Sequence, residues 1–438
     1  MGTIKVDLTN KYGKFKMLNA TNGGPIYKRH AADQWRTNIT EYKDARIPFS
    51  RNHDSNAIAA YGGPYAHDIS AIFPNFAADE NDSGNYDFDC TDESILCTLE
   101  AGTKTFFRLG QTIEHQIKKH NTLPPKDFEK WARICEHVIR HYTEGWAHGY
   151  TLDMPYWEIW NEPDLDDDDS PNKRTWGGTK AEFFDFYETV AKYLKSKFPH
   201  LKIGGPALAH REDWAKEFLC EMQKRNVPID FFSWHIYSTD PGIVTKKADT
   251  LRAYLDRYGY EKTESILNEW NYVRGWMNDF VYSIETTHGM KGAAYVASVM
   301  SLAQISTSID MLMYYDTRPS VFNGVFDFYT YRPLKSYWCF KWYGELYGLA
   351  HEVRATELPK DVYLLCGVDE DGKVTAIITH YSERDDKENA QVTLDFGRNG
   401  EFDVFLLDNA HNGEFIKTTT ELSFDMAVNT CIKIKERA

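Results

Sequence analysis

Cysteine is scarce in this chain and nowhere closely paired. The seven cysteines, at 90, 97, 135, 220, 339, 366 and 431, include no Cys-x-x-Cys. Their odd number and scatter argue against a disulfide framework and a zinc ribbon, and a reducing compartment is the simplest reading. Long apolar runs are also missing. A membrane helix needs ~20 such residues, so no membrane partner is expected. The N-terminus, Met1 to Leu8, lacks a charged segment followed by an apolar one. No signal peptide is therefore visible and a cytoplasmic location is the expectation, although a trimmed leader stays open. Positive charge is short: 50 Lys and Arg face 65 Asp and Glu, a net −15. Attraction to nucleic acid is disfavoured, and a strongly anionic substrate mildly so.

Several chemical signatures are absent too. Gly204-Gly205-Pro206 is too short for a phosphate loop, and its proline removes an N–H. There is no Gly-x-Ser-x-Gly elbow. His137 and His141 share a helix spacing but not the His-Glu-x-x-His order, and a partly exposed helix face is expected for them. The acidic run from Asp164 to Asp169 lacks the spaced ligands and glycine of a calcium loop and reads as solvated. No metal and no cofactor are expected.

What is present is a regular alternation. Strand-like runs lie at Lys16–Leu18, Ala45–Ser50, Thr103–Leu109, Tyr156–Trp160, Lys202–Gly204, Phe231–His235, Ser265–Asn268 and Met311–Tyr315. Helical spacing fills the gaps, at Lys126–Trp146, Lys180–Lys197, Glu212–Arg225, Lys247–Tyr258, Asp279–Ser306 and Lys335–Leu346. Eight strand-then-helix units predict an α/β fold, a closed (β/α)8 TIM barrel, over residues 13–349. From 350 to 438 the pattern turns to short alternating strands, which predicts a C-terminal β-sandwich. Residues 1–12 read as a strand pairing into that domain. Aromatics make up 15%, with 12 Trp and 27 Tyr. Such rings fill cores, and they also match the C–H face of a sugar while offering a polar edge.

Two apolar runs end in a glutamate: Tyr156-Trp157-Glu158-Ile159-Trp160-Asn161-Glu162-Pro163 and Ser265-Ile266-Leu267-Asn268-Glu269-Trp270. Burying an ionisable group is costly, so two at strand ends point to function. In a TIM barrel both fall on the C-terminal face, where catalytic groups gather. Along the first run Glu158, Trp160 and Glu162 share one parity and are expected to face inward. A facing pair of carboxylates is the equipment for breaking a glycosidic bond.

Trp160-Asn161-Glu162-Pro163 on a fourth strand, with a second glutamate ending the seventh, resembles clan A of the glycoside hydrolases. Within it the chain looks most like family 39, the β-xylosidases and α-L-iduronidases. The likeness runs through nearly the whole chain, including Asn22-Gly23-Gly24-Pro25, Trp176-Gly177-Gly178-Thr179, Ile203-Gly204-Gly205-Pro206-Ala207, Phe232-Ser233-Trp234-His235-Ile236-Tyr237 and Arg332-Pro333-Leu334-Lys335-Ser336-Tyr337-Trp338.

The resemblance implies a retaining exo-acting enzyme of β-xylosidase type, with an oligosaccharide or glycoside substrate. Glu162 would be the acid/base and Glu269 the nucleophile, their carboxyls about 5–5.5 Å apart. Asn161 would bind the sugar 2-hydroxyl. His235 and Tyr237 would support the carboxylates, and Arg51 and His53 would orient nucleophile and sugar. Gln111, Glu114, Tyr314, Tyr315 and Asp316 are expected on the same barrel face, and Trp270 and Trp338 are candidates for stacking. Asn268 departs from the threonine common in the family. The long connection from Arg51 to Asp92, with Tyr61-Gly62-Gly63-Pro64-Tyr65 and Phe73-Pro74-Asn75-Phe76, is expected to wall an exo-acting pocket. α-L-Iduronidase or α-L-arabinofuranosidase specificity, transglycosylation, and a non-catalytic carbohydrate-binding barrel remain alternatives. A homo-oligomer is left open.

Overall fold

The structure, a computed structural model, describes residues 2–26, 37–54, 65–318, 320 and 322–437. Eight parallel strands close a barrel: Met17–Asn22, Phe49–Arg51, Lys104–Leu109, Tyr156–Ile159, Lys202–Leu208, Phe231–Ser238, Glu264–Tyr272 and Met311–Tyr314. The eighth pairs back onto the first, with Met17 opposite Met311.

The expected strands are all there, with shifted ends. The second stops on Arg51, which places that side chain in the barrel wall and not in a loop. The sixth and seventh run three to four residues longer than their apolar runs, to Ser238 and Tyr272. The helix after the sixth starts early, at Pro241. Asp240 caps it by accepting from the Gly242 N–H, and proline suits the first turn. The expected helix Asp279–Ser306 is two, Phe280–Thr287 and Met290–Ile305, broken at Gly289. The second of these is apolar on every side because barrel and β-domain both cover it.

Ala20, Phe49, Phe106, Tyr156, Phe231, Ile266, Met311 and Met313 form one buried cluster inside the barrel. They are the inward-facing residues toward the strand N-termini, and they make an apolar floor. Polar side chains occupy the levels above it.

The strand Gly2–Lys11 pairs antiparallel with His351–Ala355 and parallel with Ala390–Asp395. It thus joins a run of six strands to a run of two in a nine-stranded sheet whose other eight strands are C-terminal. One face of this domain, through Leu365, Ile377, Tyr381, Leu407 and Cys431, joins the barrel's hydrophobic core. Its 381–383 segment also reaches the barrel loops. Tyr381 donates to the Thr239 carbonyl, and Glu383 accepts from the Tyr272 hydroxyl at 2.7 Å. The loops after the sixth and seventh strands are thereby braced from outside.

Candidate active site

The two-residue alternation of the fourth strand stops at Ile159. Trp160 has φ 69° and Glu162 φ 48°, both left-handed and costly for non-glycine residues. This twist corrects the expected parity. Trp160 turns outward, its indole donating to the Thr175 carbonyl and its ring packed on Trp131, Trp176 and Phe186. Glu158, Asn161 and Glu162 project inward. On the seventh strand the register slips between Leu267 and Glu269. That bulge re-aims the chain, so both Asn268 and Glu269 reach the barrel interior.

Arg51 is the hub of the level above the floor. It is fully buried, and its guanidinium donates to Glu158 at 2.6 Å, Glu269 at 2.7 Å, Asn161 Oδ1 at 2.7 Å and Asn22 Oδ1 at 3.2 Å. Asn268 Nδ2 donates to the other Glu158 oxygen at 2.5 Å. Asn22 Nδ2 in turn donates to the Asn268 carbonyl at 2.8 Å. Removing one partner from a buried charge network strands the others. Arg51→Ala is therefore expected to lower stability by about 3–5 kcal/mol, read from urea unfolding midpoints.

On this base stand the two glutamates, 6% and 4% exposed. Glu162, His235 and Glu269 each present one polar atom within 4.8 Å of the others. His235 Nδ1 lies 2.8 Å from Glu162 Oε1 and 3.5 Å from Glu269 Oε2. The Tyr237 hydroxyl donates to Glu269 Oε2 at 2.9 Å. By spacing alone the three groups resemble a cation site, but the Arg51 charge beside Glu269 opposes a second cation there.

The two carboxyls have different surroundings. Burial, reinforced by the negative charge of Asp164, pushes Glu162 up to about 8. Burial pushes Glu269 up as well, but the Arg51 charge and the Tyr237 hydroxyl oppose it. Arg51 contacts Glu269 and not Glu162, which favours the charged form of Glu269. His235 is pushed down to about 4 by burial and is neutral near pH 7. Asn161 adds a directed donor. Arg51 fixes its Oδ1, and its Nδ2 is buried with no partner among the described residues. An unpaired buried donor is costly, so this N–H is available to a ligand.

The remaining candidates divide. Tyr315 lines the cleft beside Tyr237, its hydroxyl donating to Asp54 at 2.6 Å. His53 is buried, and its Nδ1 accepts from Arg108 Nε at 3.2 Å. Gln111 accepts from Ser70 at 2.8 Å. Glu114 accepts the backbone N–H groups of His120, Asn121 and Thr122 and organises its own loop. Asp316 is fully buried against Arg318 at 2.9 Å.

Trp270 and Tyr314 are corrections. Both are 0% exposed and pack on each other, centroids 5.3 Å apart, behind the barrel wall. Neither can stack on a sugar. Each is one residue out of step with the inward positions. Trp338 is a third correction. It lies on the last helix against Gly413 of the β-domain. Phe73 is buried against Tyr86, which contacts Trp146, so that segment packs outward and does not wall the cleft. The other segment expected at the cleft, Tyr61-Gly62-Gly63-Pro64, falls within residues 55–64, outside the described residues.

Asp164 is not solvated. It is 1% exposed and accepts from the backbone of Ala209, His210 and Arg211 at 2.7, 3.0 and 2.9 Å. Asp166, in the same acidic run, pairs with Arg174 at 2.7 Å. His141 is buried too, stacked on Phe88 at 3.6 Å.

Asn22, Glu158 and Asn268 are the polar residues that the sequence reading gave no role. Their inward alternation above apolar neighbours was the available signal.

The sequence profile of glycosyl hydrolases family 39 matches residues 3–249, more than half of the chain. The chain belongs to glycosyl hydrolase family 39. A β-xylosidase of Caldicellulosiruptor saccharolyticus is 34% identical over 251 residues, 54% of this chain and 46% of that protein. A β-xylosidase of Geobacillus stearothermophilus is 30% identical over 203 residues, 43% of this chain and 37% of that protein. The chain's matches thus span under half the length of these curated relatives. A glucosidase from Croceicoccus marinus shares the fold over the whole chain, with TM-score 0.80, 21% identity, and 100% and 99% of the two chains covered.

Proposed function

We propose that this family 39 member is a retaining exo-glycosidase of β-xylosidase type. The observation that carries the reading is the carboxyl pair: oxygens within 4.8 Å, one group held protonated by burial and the other beside an arginine. That closeness favours direct attack over the wider gap an inverting enzyme keeps for its water.

Glu269 attacks the anomeric carbon while Glu162 gives its proton to the departing oxygen. The C–O bond to the leaving group breaks and a glycosyl ester with Glu269 forms. Losing the Glu269 charge lowers the cost of a Glu162 carboxylate, which takes a proton from water as that water cleaves the ester. Asn161 Nδ2 donates to the 2-hydroxyl, a contact that strengthens as charge develops at the anomeric carbon. Tyr237 and Arg51 hold Glu269 in line.

The xylose assignment rests on the names of the two curated relatives. The test is a panel of aryl glycosides: xyloside, arabinofuranoside, glucoside, galactoside, fucoside and uronide. The highest kcat/KM is expected on the β-xyloside. A glucoside or arabinofuranoside preference would replace the sugar and keep the mechanism. Turnover of none would contradict the enzyme reading.

The pH profile follows from the same pair. The first step needs protonated Glu162, so kcat/KM is expected to fall as pH rises through about 8. Asp164→Asn removes a charge that raises Glu162, and the alkaline limb is expected to move to lower pH. A limb that does not move would remove Asp164 from the account.

A further inference from the structure

The aromatic residue nearest the nucleophile's support is one the sequence reading passed over. Tyr237, whose hydroxyl holds Glu269, meets the Trp276 ring edge-on, with centroids 4.9 Å apart and planes at 79°. Trp276 follows the seventh strand, in the loop Val273–Asp279. Its ring lies nearly parallel to Phe280, at 5.7 Å and 24°, and to Phe322, at 6.0 Å and 20°. Phe280 and Phe322 are themselves near-parallel, at 5.9 Å and 17°. Phe322 also touches Tyr237 and Tyr315. One continuous aromatic surface therefore starts at the nucleophile's hydrogen-bond donor and ends in solvent.

Trp276 is 56% exposed although three rings fix it from behind and the side. Leaving that much indole in water without a ligand forfeits burial free energy. The rings also remove the rotamer freedom that a ligand would otherwise have to freeze out. Asn278 and Asp279, two and three residues further on, are exposed in the same stretch. A flat apolar ring face with a polar indole N–H at its edge matches a pyranose ring, C–H groups on one side and hydroxyls around the rim.

Position decides which sugar it takes. In an exo-acting pocket the terminal sugar occupies the closed end, between Glu162 and Glu269, and the leaving group points outward. Trp276 lies outward of Tyr237. We propose that Trp276, backed by Phe280 and Phe322, is the platform for the leaving-group sugar, so that the natural substrate is an oligosaccharide with a sugar on both sides of the cleaved bond. This rests on the hydrolase reading above.

The test compares two substrates of the sugar that the aryl panel identifies, its disaccharide and its glycosyl fluoride. The fluoride has no leaving-group sugar, and kcat/KM reports only steps through the first bond cleavage. Trp276→Ala is expected to lower the disaccharide-to-fluoride ratio of kcat/KM by roughly 3- to 10-fold, the size of one stacking contact. Trp276→Phe, which keeps a ring, is expected to recover most of it. Thermal unfolding of both variants checks that they fold as the parent does. An unchanged ratio, or equal loss on both substrates, would overturn the platform: Trp276 would then act on Tyr237 alone, with the hydrolase reading intact. If the parent enzyme cleaves neither substrate, the hydrolase reading and the platform built on it both fall.

Discussion

Glu269→Ala is expected to lower kcat on the best aryl glycoside by at least ~10⁴-fold, because no other group takes over attack once the nucleophile is gone. The protein should still fold. Arg51 keeps its pairing with Glu158 at 2.6 Å and its bonds to Asn161 and Asn22. Glu269 is a buried carboxyl pushed above its ordinary range, so its loss relieves a cost. Unchanged or raised thermal stability with lost turnover is therefore the expected pair of results. Function and stability trade off in this way where a site holds charge against its own burial. Turnover within tenfold of the parent would exclude Glu269 as nucleophile.

Glu162→Ala tests the partner, and its signature is dependence on the leaving group. A sugar or alkyl leaving group needs a proton, so kcat/KM on such substrates is expected to fall by about 10²–10⁴-fold. A dinitrophenyl leaving group departs without help, and its glycosylation step should be nearly unaffected. The ester on Glu269 then waits for a base that is missing. Azide needs no base, so adding it should restore turnover and yield a glycosyl azide. The alkaline limb near pH 8 should vanish with the side chain that titrates there. Equal losses on good and poor leaving groups, with no azide product, would assign Glu162 a merely structural role.

Much of this arrangement was legible from residue patterns. The eight barrel strands carry apolar runs, and stretches of helical spacing separate them. Helix Lys180–Lys197 has its capping box from Thr179 and Glu182, and its ends match the spacing. Glu162 and Glu269 stood out because an ionisable group closing a buried strand is anomalous, whereas Asn161 came only with the family resemblance.

Two expectations fail where local backbone breaks the strand period: the left-handed turns at Trp160 and Glu162 send Trp160 outward, and the slip at Glu269 sends Trp270 behind the wall. No side-chain propensity reports such a bulge. Tyr314 fails on parity alone, since inward Met311 and Met313 leave it on the outer face of its strand. Asp164 looked like surface because its partners, three backbone N–H groups 45 to 47 residues away, exist only after folding. Trp276 lay in a short polar loop, and only the assembled barrel brings it to Tyr237. The central network of Arg51, Glu158, Asn268 and Asn22 likewise comes from four separate strands.

Double displacement by Glu162 and Glu269 is the central claim, and the configuration of the first-formed sugar measures it most directly. Proton NMR during the first minutes of hydrolysis of a β-glycoside, before the free sugar equilibrates, resolves the two anomers. The β anomer should appear first and the α anomer only later, by spontaneous mutarotation. Initial release of the α anomer would mean a single inverting attack by water, and would contradict the mechanism assigned to this pair.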